Sequence, residues 1–508
     1  MFSYSIVVYN LYTTMSYIRK IKKGNKIYLA EVEGKRIDGK VVQKHIRYIG
    51  KEVNKKTSVS ITSTDLEVED VKIHGPLFIL HEIATEINLP EILGEYSSEI
   101  LSMVYAHCLD YKSVNNMPEW YKRTDLNTIL DLEGLTEDTL LSALDSLESN
   151  GDECQKEIFH NVRKKYRLNS RGIVYDVTNT YLYGKKCLFG KIGKSKEGKR
   201  QNLLIQIGLA TTQKEGIPVF HKTFDGNIHD SKTLNDLVHT FAKYKIPPGL
   251  FIYDRGITSV KNINYIGELG WDTLCGVSIK DREKNIIRKV LKDEPIIDIN
   301  NRCSINNNTI YTQCVNHNFG GVKGKLAICF NRKKQLDIHE SRLDEITNAQ
   351  RLLSSKNKIK DGLEKYFTAS GRLRIQELKK AEEFDGYSCI FSTKKISNKD
   401  MVQLYFDKDV VEKAFRTLKG ITNLRPIRHW LYNRVTAHIF ICYLSCLLLS
   451  ILKMKLKKLE ISPTQALEDL HSMYRVCLYD KKKKRKFYRT VILSKHQENI
   501  LKAIKRKL

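Results

Sequence analysis

The chain has 508 residues, room for two or three domains around a sizeable core. Lys and Arg number 86 against 58 Asp and Glu, a net charge of +28 that points to a polyanion, nucleic acid before anionic membrane. The eleven cysteines include no Cys-x-x-Cys pair, which excludes a zinc-ribbon pattern, and a chain this long needs no disulfide framework, so a reducing cytoplasm suits it.

The N-terminus has no basic segment ahead of its short apolar stretch, so no signal peptide is expected. Met15, just before Ser-Tyr-Ile-Arg-Lys, is an alternative start to Met1. Residues 16–55 alternate apolar and polar between Gly-containing breaks, which predicts a small β module. Residues 75–168 carry helical periodicity (Leu77, Leu80, Ile83; Leu140, Leu144, Leu147) and predict a separate helical domain for DNA binding or dimerisation.

From Gly172 the pattern changes to three strands, a helix, a strand, a helix and a strand. That order predicts an α/β core over 170–280 and 385–455, a mixed five-stranded sheet with flanking helices. Asp230 or Ser231 is the expected N-cap of the first helix. Ile263, Ile266 and Leu269 mark the buried face of the second, closed by Gly270. Residues 281–384, charged and Asn-rich, read as an insertion domain. A strand returns at Gly386–Ser392.

Next comes a segment read as one helix, in which Tyr405, Lys408, Glu412 and Lys419 share a stripe beside the apolar Leu404, Val411, Phe415 and Leu418. The apolar run His438–Leu452 is short of the roughly 20 residues that span a bilayer and predicts a buried core helix. Residues 456–508 read as a basic C-terminal helical tail containing the Lys481–Lys486 run, which suits either a solvated tail or a DNA contact.

Asp176 falls in the first core strand and Asp254 at the end of the fourth. If those strands are parallel neighbours, the two carboxylates meet. With Glu412 they form a hard, oxygen-only donor set suited to Mg²⁺, with Mn²⁺ as a substitute. Two such ions serve phosphoryl transfer by activating the attacking oxygen and stabilising the leaving one. Each acid taken singly has a plainer reading: Asp176 as a turn or cap residue, Asp254 as the start of an Asp-Arg-Gly turn, and Glu412 as a surface partner of Lys408 or Arg416. Asn227, His229 and Asp230 read as a loop and helix cap.

The chain resembles a DDE transposase of the large prokaryotic insertion-sequence group whose third acid lies in a Tyr-x2-Arg-x3-Glu-x6-Lys signature. Tyr405, Glu412 and Lys419 match it, with Lys408 at the Arg position. Tyr175-Asp176-Val-Thr and Tyr253-Asp254-Arg255-Gly are similar to the first- and second-acid motifs. Further blocks match at Gly193–Arg200 with Gln206 and at Asp225–Thr233. The resemblance implies a ribonuclease H-like core, with Asp176, Asp254 and Glu412 as catalytic metal ligands for two ions. It implies DNA contacts at Tyr405, Lys408, Lys419 and Arg255. It also implies double-stranded DNA partners (inverted-repeat ends and target), a homodimer in the synaptic complex, a cytoplasmic, nucleoid-associated location, and no membrane partner. Lys at position 408 keeps the charge of the usual Arg but loses its planar fork. Two other readings stand beside strand transfer: a catalytically inactive DNA-binding descendant, and a ribonuclease H-like nuclease that cuts without joining.

Overall fold

The computed structural model describes residues 16–505 apart from 25, 38–39, 54–55, 58–65, 170, 183–186, 189, 194–202, 306–307, 356, 426 and 482. Met1, Met15 and the Lys194–Arg200 part of the block that begins at Gly193 lie outside the described residues.

Strands β1 (Ser16–Lys23), β2 (Lys26–Ile37), β3 (Lys40–Val53) and β4 (Lys56–Thr57) form an antiparallel sheet in that order, and β5 (Leu66–Ile73) follows. Six helices come next: α1 (Gly75–Glu86), α2 (Leu89–Leu93), α3 (Ser97–Leu109), α4 (Met117–Lys122), α5 (Leu126–Ile129) and α6 (Glu137–Tyr166). The Thr136 hydroxyl accepts from Thr139 N–H at the start of α6, satisfying one of the donors that a helix leaves open.

The alternating stretch from Gly172 gives β6 (Gly172–Tyr181), β7 (Leu204–Thr212), β8 (Pro218–Asp225), α7 (Leu234–Lys243), β9 (Leu250–Tyr253), α8 (Val260–Glu268) and β10 (Asp272–Val277). Numbered among themselves, these strands lie in the order 3-2-1-4-5, with β6, β9 and β10 mutually parallel and β7 antiparallel to both its neighbours, β6 and β8. The N-cap of α7 is Thr233; Asp230 instead opens a short 3-10 turn, Asp230–Lys232. Gly270, at φ +78°, ends α8 as expected, while Leu269 faces solvent.

The expected five-stranded sheet is larger. After α9 (Asp281–Asp293), the strands β11 (Arg302–Ile305), β12 (Asn308–Phe319) and β13 (Val322–Phe330) continue the same sheet through β14 (Tyr387–Ser392), in the order β11-β12-β13-β14-β10-β9-β6-β7-β8. Much of the presumed insertion is therefore sheet. Pairing β13 to β14 covers a strand edge that would otherwise expose unpaired backbone groups. The charged remainder forms α10 (Arg332–Ser354) and α11 (Ile375–Glu382), with a small core of their own around Ile346, Tyr366 and Phe367.

Beyond β14 come α12 (Asn398–Phe406), α13 (Asp409–Arg416) and the long α14 (Tyr432–Leu456). Helix α14 is long and apolar enough to cross a membrane, but 89% of its most apolar stretch is buried inside the protein. It packs on α3 and α6, so helices 75–168 share one apolar core with it rather than standing apart. Arg434 grips Asp145 of α6 through two bonds of 2.8 and 2.9 Å. The buried Lys455 ammonium is satisfied by Glu86 at 2.9 Å and the Ile504 carbonyl at 2.6 Å.

The C-terminal region is not a helical tail: α15 (Pro463–Asp469) and α16 (Lys495–Lys505) flank an antiparallel hairpin of β15 (Tyr474–Asp480) and β16 (Arg485–Thr490). Lys481, Lys483 and Lys484 of the lysine run lie in the hairpin turn and Lys486 lies on β16; Lys481 and Lys486 pair with Glu67 and Glu69. Contacts divide the chain into two compact units: residues up to Val71 with Arg475–Thr490, and Lys72–Tyr474 with Val491–Leu508.

Candidate active site

Side-chain alternation decides which way the two aspartates face. Along β6, Ile173, Tyr175 and Val177 pack with α7 and α8, whereas Val174 packs in the cluster that holds α13 and α14. Asp176 shares Val174's face. On β9, Phe251 and Tyr253 face α7 and α8 and Ile252 faces the other way, so the next residue, Asp254, falls on the same face as Asp176. The parallel ladder pairs Tyr175 with Tyr253, and the two acids directly follow that pair. Gly208 on β7 makes room for this arrangement: a Cβ there would lie 2.2 Å from the Tyr175 hydroxyl, which donates to Thr233 Oγ1 at 2.9 Å.

The third acid arrives on α13, which packs against β6 and β7. The single helix expected over Tyr405–Lys419 is broken. α12 stops at Phe406, Asp407 and Lys408 form a turn, α13 runs to Arg416, and Thr417–Ile421 close in a π-helical turn. Tight bonds Lys408 N–H to Tyr405 O (3.3 Å) and Val411 N–H to Lys408 O (3.2 Å) make the break. The straight stripe is thereby replaced by convergence on Asp254. The Tyr405 hydroxyl donates to Asp254 Oδ1 at 3.0 Å, and the Arg255 backbone N–H donates to the same oxygen at 2.8 Å. Lys408 Nζ sits 3.5 Å from Asp254 Oδ2 and 3.6 Å from Glu412 Oε1, so one ammonium touches both carboxylates. Val411, Phe415 and Leu418 are buried beneath, which anchors α13.

The electrostatics follow from these contacts. Burial by itself raises the Asp254 carboxyl, but the Lys408 charge, the Arg255 N–H and the Tyr405 hydroxyl outweigh it and hold the group below its ordinary value. Burial, and then the Asp254 charge, push the Tyr405 phenol well up, so it stays protonated and donates. Gly276 on β10 shapes the tyrosine's pocket: a Cβ there would lie 2.3 Å from the Tyr405 hydroxyl.

A family profile described as Transposase DDE domain matches residues 168–449, more than half the chain. The chain belongs to the DDE transposase family. It is an enzyme of DNA cleavage and transfer, from a family that depends on divalent metal. None of the curated proteins matches it. Among solved structures, a piggyBac transposase synaptic complex with hairpin DNA is similar over 78% of this chain and 70% of that one, at 11% identity and a TM-score of 0.37, too distant to add to the assignment.

In this transposase the three acids occupy one face of the sheet, and Lys408 links two of them. Tyr405 is only 9% exposed and its hydroxyl is bonded to Asp254, so its side chain faces that acid rather than solvent. Lys408 is turned inward between the acids, with a side chain 16% exposed. Arg255 is exposed, and Lys419 lies partly exposed on the π-helical turn. The Asp225–Asn227 block has a packing role: Gly226 lies where a Cβ would meet the Leu204 carbonyl at 1.9 Å, and Gly193 lies against Gly226. Gln206 Nε2 donates to Ile228 O at 2.7 Å, pinning the loop that follows. The sequence reading misses Gly276 and Thr258, whose hydroxyl donates to Gly276 O at 2.8 Å. A glycine inside a strand is the one local sign of the close approach at Gly276.

Proposed function

We propose that this transposase cleaves DNA at the terminal inverted repeats of its own insertion sequence and joins the freed ends to target DNA. Asp176, Asp254 and Glu412 would hold two Mg²⁺ ions, with Mn²⁺ able to substitute, in a ribonuclease H-like core. The observation that carries this reading is the convergence of the acids. Asp176 and Asp254 directly follow Tyr175 and Tyr253, which pair across two parallel strands, and Glu412 is tied to Asp254 through Lys408. The 3-2-1-4-5 strand order supports the ribonuclease H-like assignment. The donors fit hard divalent ions: they are all carboxylates, and Asp254 and Glu412 are 44% and 56% exposed, open enough to meet water and phosphate.

Bound there, the ions supply activation of the attacking oxygen and stabilisation of the leaving one. The chain's own residues do the positioning. Tyr405 and the Arg255 N–H fix one oxygen of Asp254, leaving the other toward Lys408. Lys408 offsets the negative charge of the acid pair and stands beside the place a DNA phosphate would take. Lys419 and Arg255 are the outer backbone contacts in this reading. The partners are double-stranded DNA ends and target, engaged by two copies of the chain in a synaptic complex.

The test is replacement of each acid by Ala. All three variants should lose Mg²⁺-dependent cleavage and joining of an end-bearing duplex while keeping specific DNA binding. A variant with near wild-type cleavage would remove that residue from the site. Joining of a pre-cleaved end separates a transposase from a nuclease that only cuts, and metal-dependent cleavage by the wild type excludes an inactive descendant.

A further inference from the structure

Away from the acids, the core around α14 holds a compact group of soft donors. His107 on α3 and His438 and Cys442 on α14 are all buried, and their donor atoms lie within 4.8 Å of one another. Cys442 Sγ is 3.6 Å from His107 Nδ1 and 3.7 Å from His438 Nε2. A tetrahedral ion with sulfur at about 2.3 Å and nitrogen at about 2.0–2.1 Å sets those atoms about 3.5 Å apart, so the two edges already match. The Thr422 carbonyl lies 3.5 Å from Cys442 Sγ and accepts a hydrogen bond from His107 Nδ1, a bond that gives way when that nitrogen turns its lone pair to an ion. A cavity of about 20 Å³, enough for one water, is lined by His107, His429, His438 and Tyr111.

We infer that His107, His438 and Cys442 form a site for a single soft divalent cation, Zn²⁺ being the ordinary occupant. The donor chemistry separates it from the acid site: sulfur and imidazole select zinc, whereas carboxylates select magnesium. Binding exchanges protons for metal. The Cys442 thiol gives its proton to solvent as the thiolate–metal bond forms, and the His107 proton moves from Nδ1 to Nε2, on a ring that borders the one-water cavity. The role is a staple. It joins α3 to α14, the helix against which the π-helical turn behind α13 packs, and so stiffens the base of the helix that carries Glu412.

The experiment uses the full chain, stripped by chelator and titrated with Co²⁺ alone, followed by absorption and then by Zn²⁺ competition. About one equivalent of Co²⁺ should give tetrahedral visible bands and a thiolate-to-cobalt charge-transfer band, both removed by Zn²⁺. Cys442→Ser should lose the charge-transfer band, and His438→Gln should weaken binding at least about tenfold. Cys446→Ser, one turn further along α14, and the double variant Asp254→Asn/Glu412→Gln should keep the band. The wild-type titration decides on its own if a core variant fails to fold: no charge-transfer band means the cluster is ordinary hydrogen-bonded core, and the inference falls. A band that persists in folded Cys442→Ser, or that vanishes in the acid double variant, overturns it equally, because the ion would then be held elsewhere.

Discussion

Gly276 and Tyr405 form a pair whose coupling can be worked from the structure. Gly276→Ala places a methyl group 2.3 Å from the Tyr405 hydroxyl oxygen and 3.2 Å from its Cζ and from the Arg255 nitrogen. The ring is buried and cannot swing away freely, so overpacking should cost about 1–3 kcal/mol. Tyr405→Phe removes the hydroxyl and its 3.0 Å bond to Asp254. A hydrogen bond to a charged group is worth about 1.5–3 kcal/mol, but water reaches the partly exposed carboxylate, so the loss should fall near the low end. In the double variant the worst contact no longer exists. Its cost should be at least about 1 kcal/mol less than the sum of the singles. For a unit this large, 1 kcal/mol moves Tm by roughly 1 °C, so calorimetry on the four proteins needs sub-degree replicates. Single-turnover cleavage by the same proteins gives a second readout, about tenfold per 1.4 kcal/mol of lost positioning. Strictly additive changes in Tm, or a Gly276→Ala protein indistinguishable from wild type, would refute the claim that the glycine exists to seat the tyrosine on Asp254.

Lys408→Met should weaken the depression of the Asp254 carboxyl. A depressed carboxyl stabilises the fold above its unfolded pKa, and that contribution is lost as pH falls through the folded value. In metal-free protein, the acid limb of the Tm-versus-pH curve should therefore move to higher pH in the variant, and an unmoved limb would mean that Lys408 does not set Asp254's ionisation. Lys419→Ala should weaken binding to all end sequences alike, as measured by competition among duplexes, because a phosphate contact carries no base information. Replacing Lys481, Lys483 and Lys484 by Gln removes three charges from the run without cutting β16 away. Each lost phosphate contact should flatten the slope of log K against log salt by about 0.9, and an unchanged slope assigns the run to a solvated turn.

The two aspartates are legible because strand patterning is local: each sits at the end of an apolar run, and alternation alone places them on one face. The break at Asp407 and Lys408 is not legible, since Tyr405-Phe-Asp-Lys contains no Gly or Pro and the turn is favoured by what Tyr405 reaches across the sheet. Its burial depends on Gly276, remote in sequence. The edge strands are hidden for a different reason. The Asn-rich sequence at Asn300 and Asn306 masks the strand character of Val322–Phe330, whose partner β14 lies beyond α10 and α11. The lysine run reads as a tail because its counter-charges, Glu67 and Glu69, are at the other end of the chain.

The sheet of β5, β15 and β16 joins residues 66–73 to residues 474–490. During synthesis at about 5–20 residues per second, β5 emerges roughly 20–80 s before its partner exists. The second unit, with its own core, can assemble over much of that interval, while the sheet that β5 belongs to cannot. A ribosome that stops short of Tyr474 therefore releases a chain able to build most of the acid-bearing sheet but lacking the β15 strand that completes the first unit. Synthesis past Thr490 becomes the event that admits β5 to its sheet.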